Sequence, residues 1–331
     1  MYLIAEIGQA HEGSLGIAHS YIDALAATGV DAVKFQTHIA EAESSIHEPF
    51  RVKFSYEDDT RYDYWKRMEF NAEQWAGLKA HCEDKGMEFI SSPFSIAAVE
   101  LLERIGVKKY KIGSGEVSNL LMLNRIALTG KDMLLSSGMS DWDELDTAVA
   151  FLKPFGNKLT VLQCTTAYPT APEQWGLQLI PELKERYKLP VGFSDHSGEI
   201  TAGIAAFALG ASVLEFHVVF DKRMFGPDTL ASLTIDQCSQ IVRSVRDLER
   251  ALKASISKGD QVALQPLRDM FGKSLALNRS LPAGYSICLE DLEAKKPKGH
   301  GIAASDYQHV IGRTLRVSKQ AWDFLRQEDL M

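Results

Sequence analysis

Short apolar runs alternate with helical patterns along most of the chain. Runs at 2–8 (YLIAEIG), 31–37 (DAVKFQT), 88–94 (EFISSPF), 110–116 (YKIGSGE), 133–138 (MLLSSG), 159–165 (LTVLQCT), 189–195 (LPVGFSD) and 212–219 (SVLEFHVV) predict eight strands. Their Val, Ile, Leu and Phe content is that of parallel strands buried on both faces. Between them apolar residues recur at helical spacing. Leu15, Ala18, Ile22, Leu25 and Ala26 follow Ser14 as an N-cap and precede Gly29 as a stop. Asn71 and Gln74 stand at capping-box spacing before the next helix, which ends at Gly86. Segments 95–106, 140–156, 200–210 and 234–254 continue the alternation. Eight β/α steps in about 250 residues predict an α/β fold of the (β/α)8 TIM-barrel type. A doubly wound open sheet is the runner-up. No GxGxxG follows the first strand, which weakens its dinucleotide-binding form.

Two stretches break the rhythm. Residues 39–70 form a long charged and aromatic insertion after the second strand, on the barrel's C-terminal rim, where long loops serve as lids or pack their own aromatics. Near residue 255 the repeat stops. The reading is a barrel domain over 1–258, a linker over 259–274 and a small mixed domain over 275–331, too short for another β/α unit. The KKPK run at 295–298 is a local basic spot of the kind that ordinarily forms a solvated face.

Charge narrows the partners. A net charge of -8 offers no basic excess to offset phosphates, so no nucleic acid is expected. Cys82, Cys164, Cys238 and Cys288 lie far apart with no CxxC pair and read as reduced thiols. MYLIAEIG enters a strand directly without a signal-peptide pattern, and no apolar run is long enough to span a bilayer. The expectation is a cytoplasmic protein with no membrane partner.

In such a barrel, function sits at the C-terminal ends of the strands. Those ends carry Glu6, His11 and Glu12; Lys34, Gln36 and His38; Ser91 and Ser92; Lys111, Ser114 and Glu116; Ser136 and Ser137; Thr165, Thr166 and Tyr168; Ser194, Asp195 and His196; and Glu215 and His217. Solvated ends do not explain a polar cluster on every strand, because an unpaired polar group within apolar sequence is costly. A lone strand histidine is ordinarily a core residue bonded to a carbonyl. His196 and His217, however, end adjacent strands, and such a pair suits a divalent metal with open positions. Lys34 and Lys111 read either as Schiff-base lysines or as an anion clamp. The surrounding hydroxyls of SSPF, GSG, SSGM and FSDH favour an anionic substrate. Glu6, Glu116 and Glu215 are each candidate general bases, unranked by sequence.

The order of AEIGQAHEGS, KFQTH, FISSPF, KIGSGE, SSGM, QCTTAYPT, GFSDHS and LEFH followed by GPD resembles the N-acetylneuraminate (sialic acid) synthase family over essentially the whole chain. The C-terminal piece resembles that family's antifreeze-like (SAF) domain. The resemblance implies condensation of phosphoenolpyruvate with an open-chain N-acylated amino sugar, N-acetylmannosamine, to a nine-carbon 2-keto acid and phosphate. It implies His196 and His217 as ligands of a divalent metal, Mn2+ first and Mg2+ or Co2+ as substitutes. Lys34, Ser92, Lys111, Ser114, Ser136, Ser194 and Thr166 would hold phosphoenolpyruvate, and Glu6 would be the base. Gln36, Glu116, Tyr168, Glu215 and Asp228 would orient the sugar. The family forms domain-swapped homodimers in which a small-domain arginine before proline reaches the sugar; the matching residue here is Lys296. Ala10 replaces an asparagine, Thr166 replaces the asparagine of some members, and Phe216 stands where the family often has a basic residue. A legionaminic or pseudaminic acid synthase using a diacetamido-trideoxyhexose is the alternative reading. A Schiff-base aldolase and a non-catalytic sugar-binding barrel are more distant ones.

Overall fold

The computed structural model describes residues 1–52, 54–259 and 262–331. The chain divides into two compact units, Met1–Lys253 and Ala254–Met331. In the first, β1 (Tyr2–Gly8), β2 (Ala32–Thr37), β3 (Glu88–Pro93), β4 (Lys109–Ile112), β5 (Asp132–Ser136), β6 (Leu159–Cys164), β7 (Val191–Asp195) and β8 (Val213–Val219) pair in sequence order, and β8 closes on β1. All these pairings are parallel. This is the (β/α)8 barrel that the alternation predicts.

Helices separate the strands: α1 (Leu15–Ala26), α2 (Ala40–Glu43), α3 (Arg61–Met68), α4 (Ala72–Asp84), α5 (Ile96–Ile105), α6 (Leu120–Ala127), α7 (Trp142–Leu152), α8 (Leu179–Tyr187), α9 (Ile200–Ala208) and α10 (Ile235–Lys253). A two-residue strand, β9 (Leu233–Thr234), follows β8. Side-chain oxygens end the helices as the sequence suggests. Ser14 accepts from Ile17 N–H, and the Asn71–Gln74 capping box forms.

The period of two along each strand sorts the barrel's residues. Leu3, Ala5 and Ile7 of β1, with Val33 and Phe35 of β2 and Leu214, Phe216 and Val218 of β8, belong to the core shared with the helices. Ile4, Ala32, Ile90, Leu134, Leu162 and Val213 form a separate apolar plug inside the barrel. Gly192 lies where a Cβ would come within 2.4 Å of Leu162 Cδ2 and 2.7 Å of the Val213 carbonyl oxygen, so only glycine lets β7 approach its neighbours there. Two residues further along the same faces stand Glu6, Lys34, Ser92, Ser136, Cys164, Ser194 and Glu215. The alternation that puts apolar side chains at the bottom of the barrel therefore puts polar ones directly above them.

Strand four is shorter than its sequence run. After Ile112 the chain turns into a 3-10 helix over Ser114–Glu116, whose Glu116 N–H donates to the Gly113 carbonyl (3.0 Å). Inside the 39–70 insertion, α2 and α3 pack Ala40, Tyr64, Trp65 and Met68 into a small core of their own; residue 53 lies outside the described residues. Of the 259–274 segment, residues 260–261 lie outside the described residues, and α11 (Gln265–Phe271) is helical. The second unit pairs β10 (Ser274–Leu277) antiparallel with β11 (Leu292–Lys295) over a core that includes Leu275, Leu277, Ile287, Leu315 and Leu325. Among the described residues no helix is long and apolar enough to cross a membrane.

Candidate active site

The polar ring is a buried square of alternating charge. Glu6 and Lys34 face each other in the β1–β2 register and form an ion pair. Lys111 Nζ lies 2.7 Å from Glu215 Oε1, and Lys34 Nζ lies 3.8 Å from the same oxygen. Glu6 is 0% exposed and Glu215 3%. Burial alone would push Glu215 up, but the Lys111 and Lys34 ammonium groups hold it down at about 2. Burial likewise opposes the charge on Lys34, and Glu215 and Glu6 overcome it and raise its pKa. Hydroxyls fill the gaps between charges. Ser92 Oγ accepts from Lys34 Nζ (3.4 Å), and Ser194 Oγ donates to Glu215 Oε1 (3.1 Å). Among the described residues, Ser136 Oγ and Glu215 Oε2 are buried without a hydrogen-bond partner. Buried polar atoms left so are expected where a ligand completes the set.

A cavity of about 460 Å³ opens above the square, a volume in the range of small-molecule sites. Ser114, Glu116, Thr166, Tyr168 and Asp228 line it with the strand residues. Gly138 of the SSGM run lets its wall close. A Cβ there would meet Thr166 Oγ1 at 2.6 Å and Ser114 Oγ at 2.7 Å, and the Gly138 N–H donates to Ser114 Oγ (3.0 Å). Burial raises Glu116, and burial with the charge of Asp228 raises Tyr168.

His196 and His217 both line the cavity, with ring centroids 5.4 Å apart. His217 lies opposite Glu6 in the β8–β1 register, and burial holds it below its ordinary value. This is what an imidazole does in so apolar a strand: its position on the inward face puts it beside the charged square. His196 Nδ1 lies 2.9 Å from the Thr165 carbonyl and 3.7 Å from Cys164 Sγ. Burial disfavours its charged form, but the negative charge of an ionised Cys164 sulfur and the Thr165 carbonyl raise it to about 9. With Nδ1–H tied to the carbonyl, Nε2 is the nitrogen that keeps a lone pair in the neutral ring. Tyr168 OH lies 3.1 Å from that Nε2. Among the described residues no group of three or more His, Cys, Asp or Glu side chains is placed to hold a metal.

Several polar residues at the strand ends belong to the framework instead. Ser91 Oγ is 2.7 Å from Thr37 Oγ1, Ser137 donates to the Leu162 carbonyl, and Asp195 accepts from Ser197. The His11 ring packs against Phe70 at a tilt of 34°, and burial with the His38 and Arg67 charges lowers it to about 3. Glu12 pairs with Arg67 (2.9 Å). Phe216 faces the helices, so its departure from the family's basic residue does not change the cavity wall. Lys296 lies in the second unit, its ammonium 4.8 Å from the centre of the Phe271 ring.

Arg51, from the insertion, is a cavity residue that strand-end reasoning misses. Its guanidinium lies 4.0 Å from the Tyr168 ring centroid and 2.7 Å from Asp228 Oδ1. The only sequence signal for it is a cation inside an aromatic insertion on the rim.

The NeuB family model matches residues 21–257. The N,N'-diacetyllegionaminic acid synthase of Campylobacter jejuni is 32% identical over 98% of this chain and 98% of its own length. The N-acetylneuraminate-9-phosphate synthase of Homo sapiens is 33% identical over 99% of this chain and 92% of its own. The crystal structure of a Leptospira borgpetersenii N-acetylneuraminic acid synthetase in complex with citrate superposes with a TM-score of 0.70 at 28% identity, over 80% of this chain and 89% of that one.

Proposed function

Because the chain belongs to the NeuB family, we propose that this synthase condenses phosphoenolpyruvate with open-chain N-acetylmannosamine and water, giving N-acetylneuraminate and phosphate. The observation that carries the reading is the buried square of Glu6, Lys34, Glu215 and Lys111 with hydroxyls between the charges. Two ammonium groups at the floor of a cavity, with Ser92, Ser114, Ser136, Ser194 and Thr166 around them, suit a small molecule bearing both a phosphate and a carboxylate. Gln36, Glu116, Tyr168, Glu215 and Asp228 line the same cavity, and we assign to them the orienting of a second, hydroxyl-rich molecule.

In this reading the C2–C3 π pair of phosphoenolpyruvate forms the bond from C3 to the aldehyde carbon of the sugar, the aldehyde C=O π bond opens, and its oxygen takes a proton from solvent to become a hydroxyl. Water adds to C2, with Glu6 taking its proton. The C2–O bond to phosphate then breaks and leaves a 2-keto acid. Lys34 and Lys111 act as electrostatic clamps on the phosphate and carboxylate. The Glu215 and Glu6 carboxylates raise the pKa of Lys34 against the effect of burial and hold it as an ammonium ion, which is not a nucleophile, and this disfavours the Schiff-base alternative at Lys34.

His196 and His217 fit a divalent cation, Mn2+ or its substitutes Mg2+ and Co2+. Two imidazoles face one cavity, and the Thr165 carbonyl fixes the outer nitrogen of one of them. When bound, the ion supplies Lewis acidity that polarises the sugar aldehyde. We read the second unit as an antifreeze-like (SAF) domain that brings Lys296 to the partner's cavity in a domain-swapped homodimer.

A diacetamido-trideoxyhexose acceptor, giving a legionaminic or pseudaminic acid, is the second reading. Nearly equal identity to synthases of two different products favours neither acceptor. The test is phosphate release from phosphoenolpyruvate with Mn2+, across N-acetylmannosamine, its diacetamido-trideoxy analogues and no sugar, with and without EDTA. Sugar-dependent, EDTA-sensitive release is expected, and the fastest sugar names the acceptor. No release with any sugar from folded, metal-loaded protein would remove the reading.

A further inference from the structure

His38 and Glu43 have no part in the reaction above, yet both line the cavity and the side chains of both are covered. The His38 ring is held between Trp65, 4.0 Å away between centroids and 17° from parallel, and Phe94, at 4.6 Å and 9°. That slot accepts any flat ring and does not call for an imidazole. The two nitrogens are where the imidazole matters. Nδ1 lies 2.6 Å from Glu43 Oε1, while Glu43 Oε2 accepts the Ile39 N–H at 3.3 Å. Nε2 lies 3.2 Å from Gln36 Oε1. Gln36 in turn donates from Nε2 to Glu6 Oε1 (3.1 Å), and Glu6 is paired with Lys34. A line of side chains thus runs from α2, at the start of the insertion, to the charged square.

The chemistry of the amide gives this line a direction. A glutamine side chain can turn over and exchange its oxygen with its NH2 group at little cost. Beside Glu6, which only accepts, the NH2 end is required; the oxygen end would meet a carboxylate. The oxygen then needs donors on its other side. The Gln9 amide N–H donates there, and His38 Nε2 faces the same oxygen, donating to it only when the ring carries a proton on both nitrogens, because Nδ1 faces the Glu43 carboxylate. Gln9 Nε2 also lies 3.3 Å from His38 Nε2. Glu43, by accepting at Nδ1, keeps the ring turned so that Nε2 faces Gln36.

We propose that His38, oriented by Glu43, is a positioning residue for the condensation. It fixes the amide of Gln36 so that one N–H holds Glu6 and the other is presented to the acceptor sugar. The inference rests on the reaction proposed above.

Three substitutions separate hydrogen bonding from packing. His38→Phe keeps a flat ring in the slot and removes both nitrogens. His38→Asn reproduces only the Nδ1 contact to Glu43, and serves if the phenylalanine variant does not fold. His38→Gln places an amide N–H near the Nε2 position and restores the donor to Gln36. Each is assayed for steady-state turnover with the acceptor sugar and with phosphoenolpyruvate varied in turn, beside the wild-type protein. His38→Phe and His38→Asn should each lower kcat/KM for the acceptor by about tenfold or more, with KM for phosphoenolpyruvate unchanged. His38→Gln should recover most of that loss. Wild-type values in His38→Asn overturn the inference, as does an equal loss in His38→Gln, which would mean that only the ring's bulk matters. A parallel rise in KM for phosphoenolpyruvate overturns it too. Absence of turnover by the wild-type protein removes the proposed reaction, and this inference with it.

Discussion

The charged square is expensive to bury. Each ion loses its hydration, and mutual attraction repays that cost only when geometry is good and the remaining lone pairs are satisfied. Here, among the described residues, one oxygen of Glu215 lacks a hydrogen-bond partner. The square is therefore better explained by chemistry than by stability, and the two can be set against each other. Lys111→Met leaves Glu215 with its nearest counter-charge removed and should destabilise the barrel by about 3–5 kcal/mol. Lys111→Met combined with Glu215→Leu removes the pair and leaves Glu6 and Lys34 neutralising each other. That double variant should unfold in urea at or above the wild-type midpoint, more stable by up to about 4 kcal/mol, and release no phosphate. Equal destabilisation in the single and double variants would show that the pair holds the barrel together.

At the scale of the element, the strands and the inward-facing residues were legible because one period controls both. Alternation along VLEFHVV puts Glu215 and His217 on the face opposite Leu214 and Phe216, and the structure keeps that division. What was not legible depends on contacts between distant segments. The fourth strand ends at Ile112 because the following turn satisfies its own backbone. The segments that form α6 and α8 do not stand out in the sequence; Leu120 and Leu121 leave apolar side chains outside, which blurs the stripe that marks a buried face. Arg51 finds Tyr168 and Asp228 more than a hundred residues away, and no spacing announces that. Nor does sequence separate Ser91 from Ser92, although one bonds the backbone of β2 and the other the Lys34 ammonium. Glycine positions sit between these cases, since a glycine inside a strand signals close approach without saying to what. Gly192→Ala tests the packing that the structure assigns. Its methyl group would press on Leu162 and on the Val213 backbone, which cannot move aside as a flexible side chain would. The expected cost is about 1–3 kcal/mol in urea unfolding, from overpacking at the foot of the barrel. A neutral effect would mean that β6 and β8 yield more easily than a closed barrel should.

For the whole molecule, the metal assignment makes a prediction that does not pass through turnover. A ligand that binds only the folded barrel stabilises all of it, because the histidines are brought together by the closure of β7 against β8 and not by any local turn. At a concentration one hundred times its Kd, such a ligand adds about 2.7 kcal/mol. In a unit the size of Met1–Lys253 this raises Tm by about 5–10 °C. Mn2+ should therefore shift the thermal unfolding of EDTA-stripped wild-type protein, with a smaller shift at lower pH as protons compete for the imidazole nitrogens. His196→Ala and His217→Ala should each abolish most of the shift, since each removes one of the two proposed ligands and a single imidazole holds a divalent ion weakly. Lys34→Met retains both imidazoles and removes a nearby positive charge, so its shift should be at least as large as that of the wild-type. The same Mn2+ shift in all four proteins would place the ion elsewhere and leave His196 and His217 as core residues bonded to their neighbours.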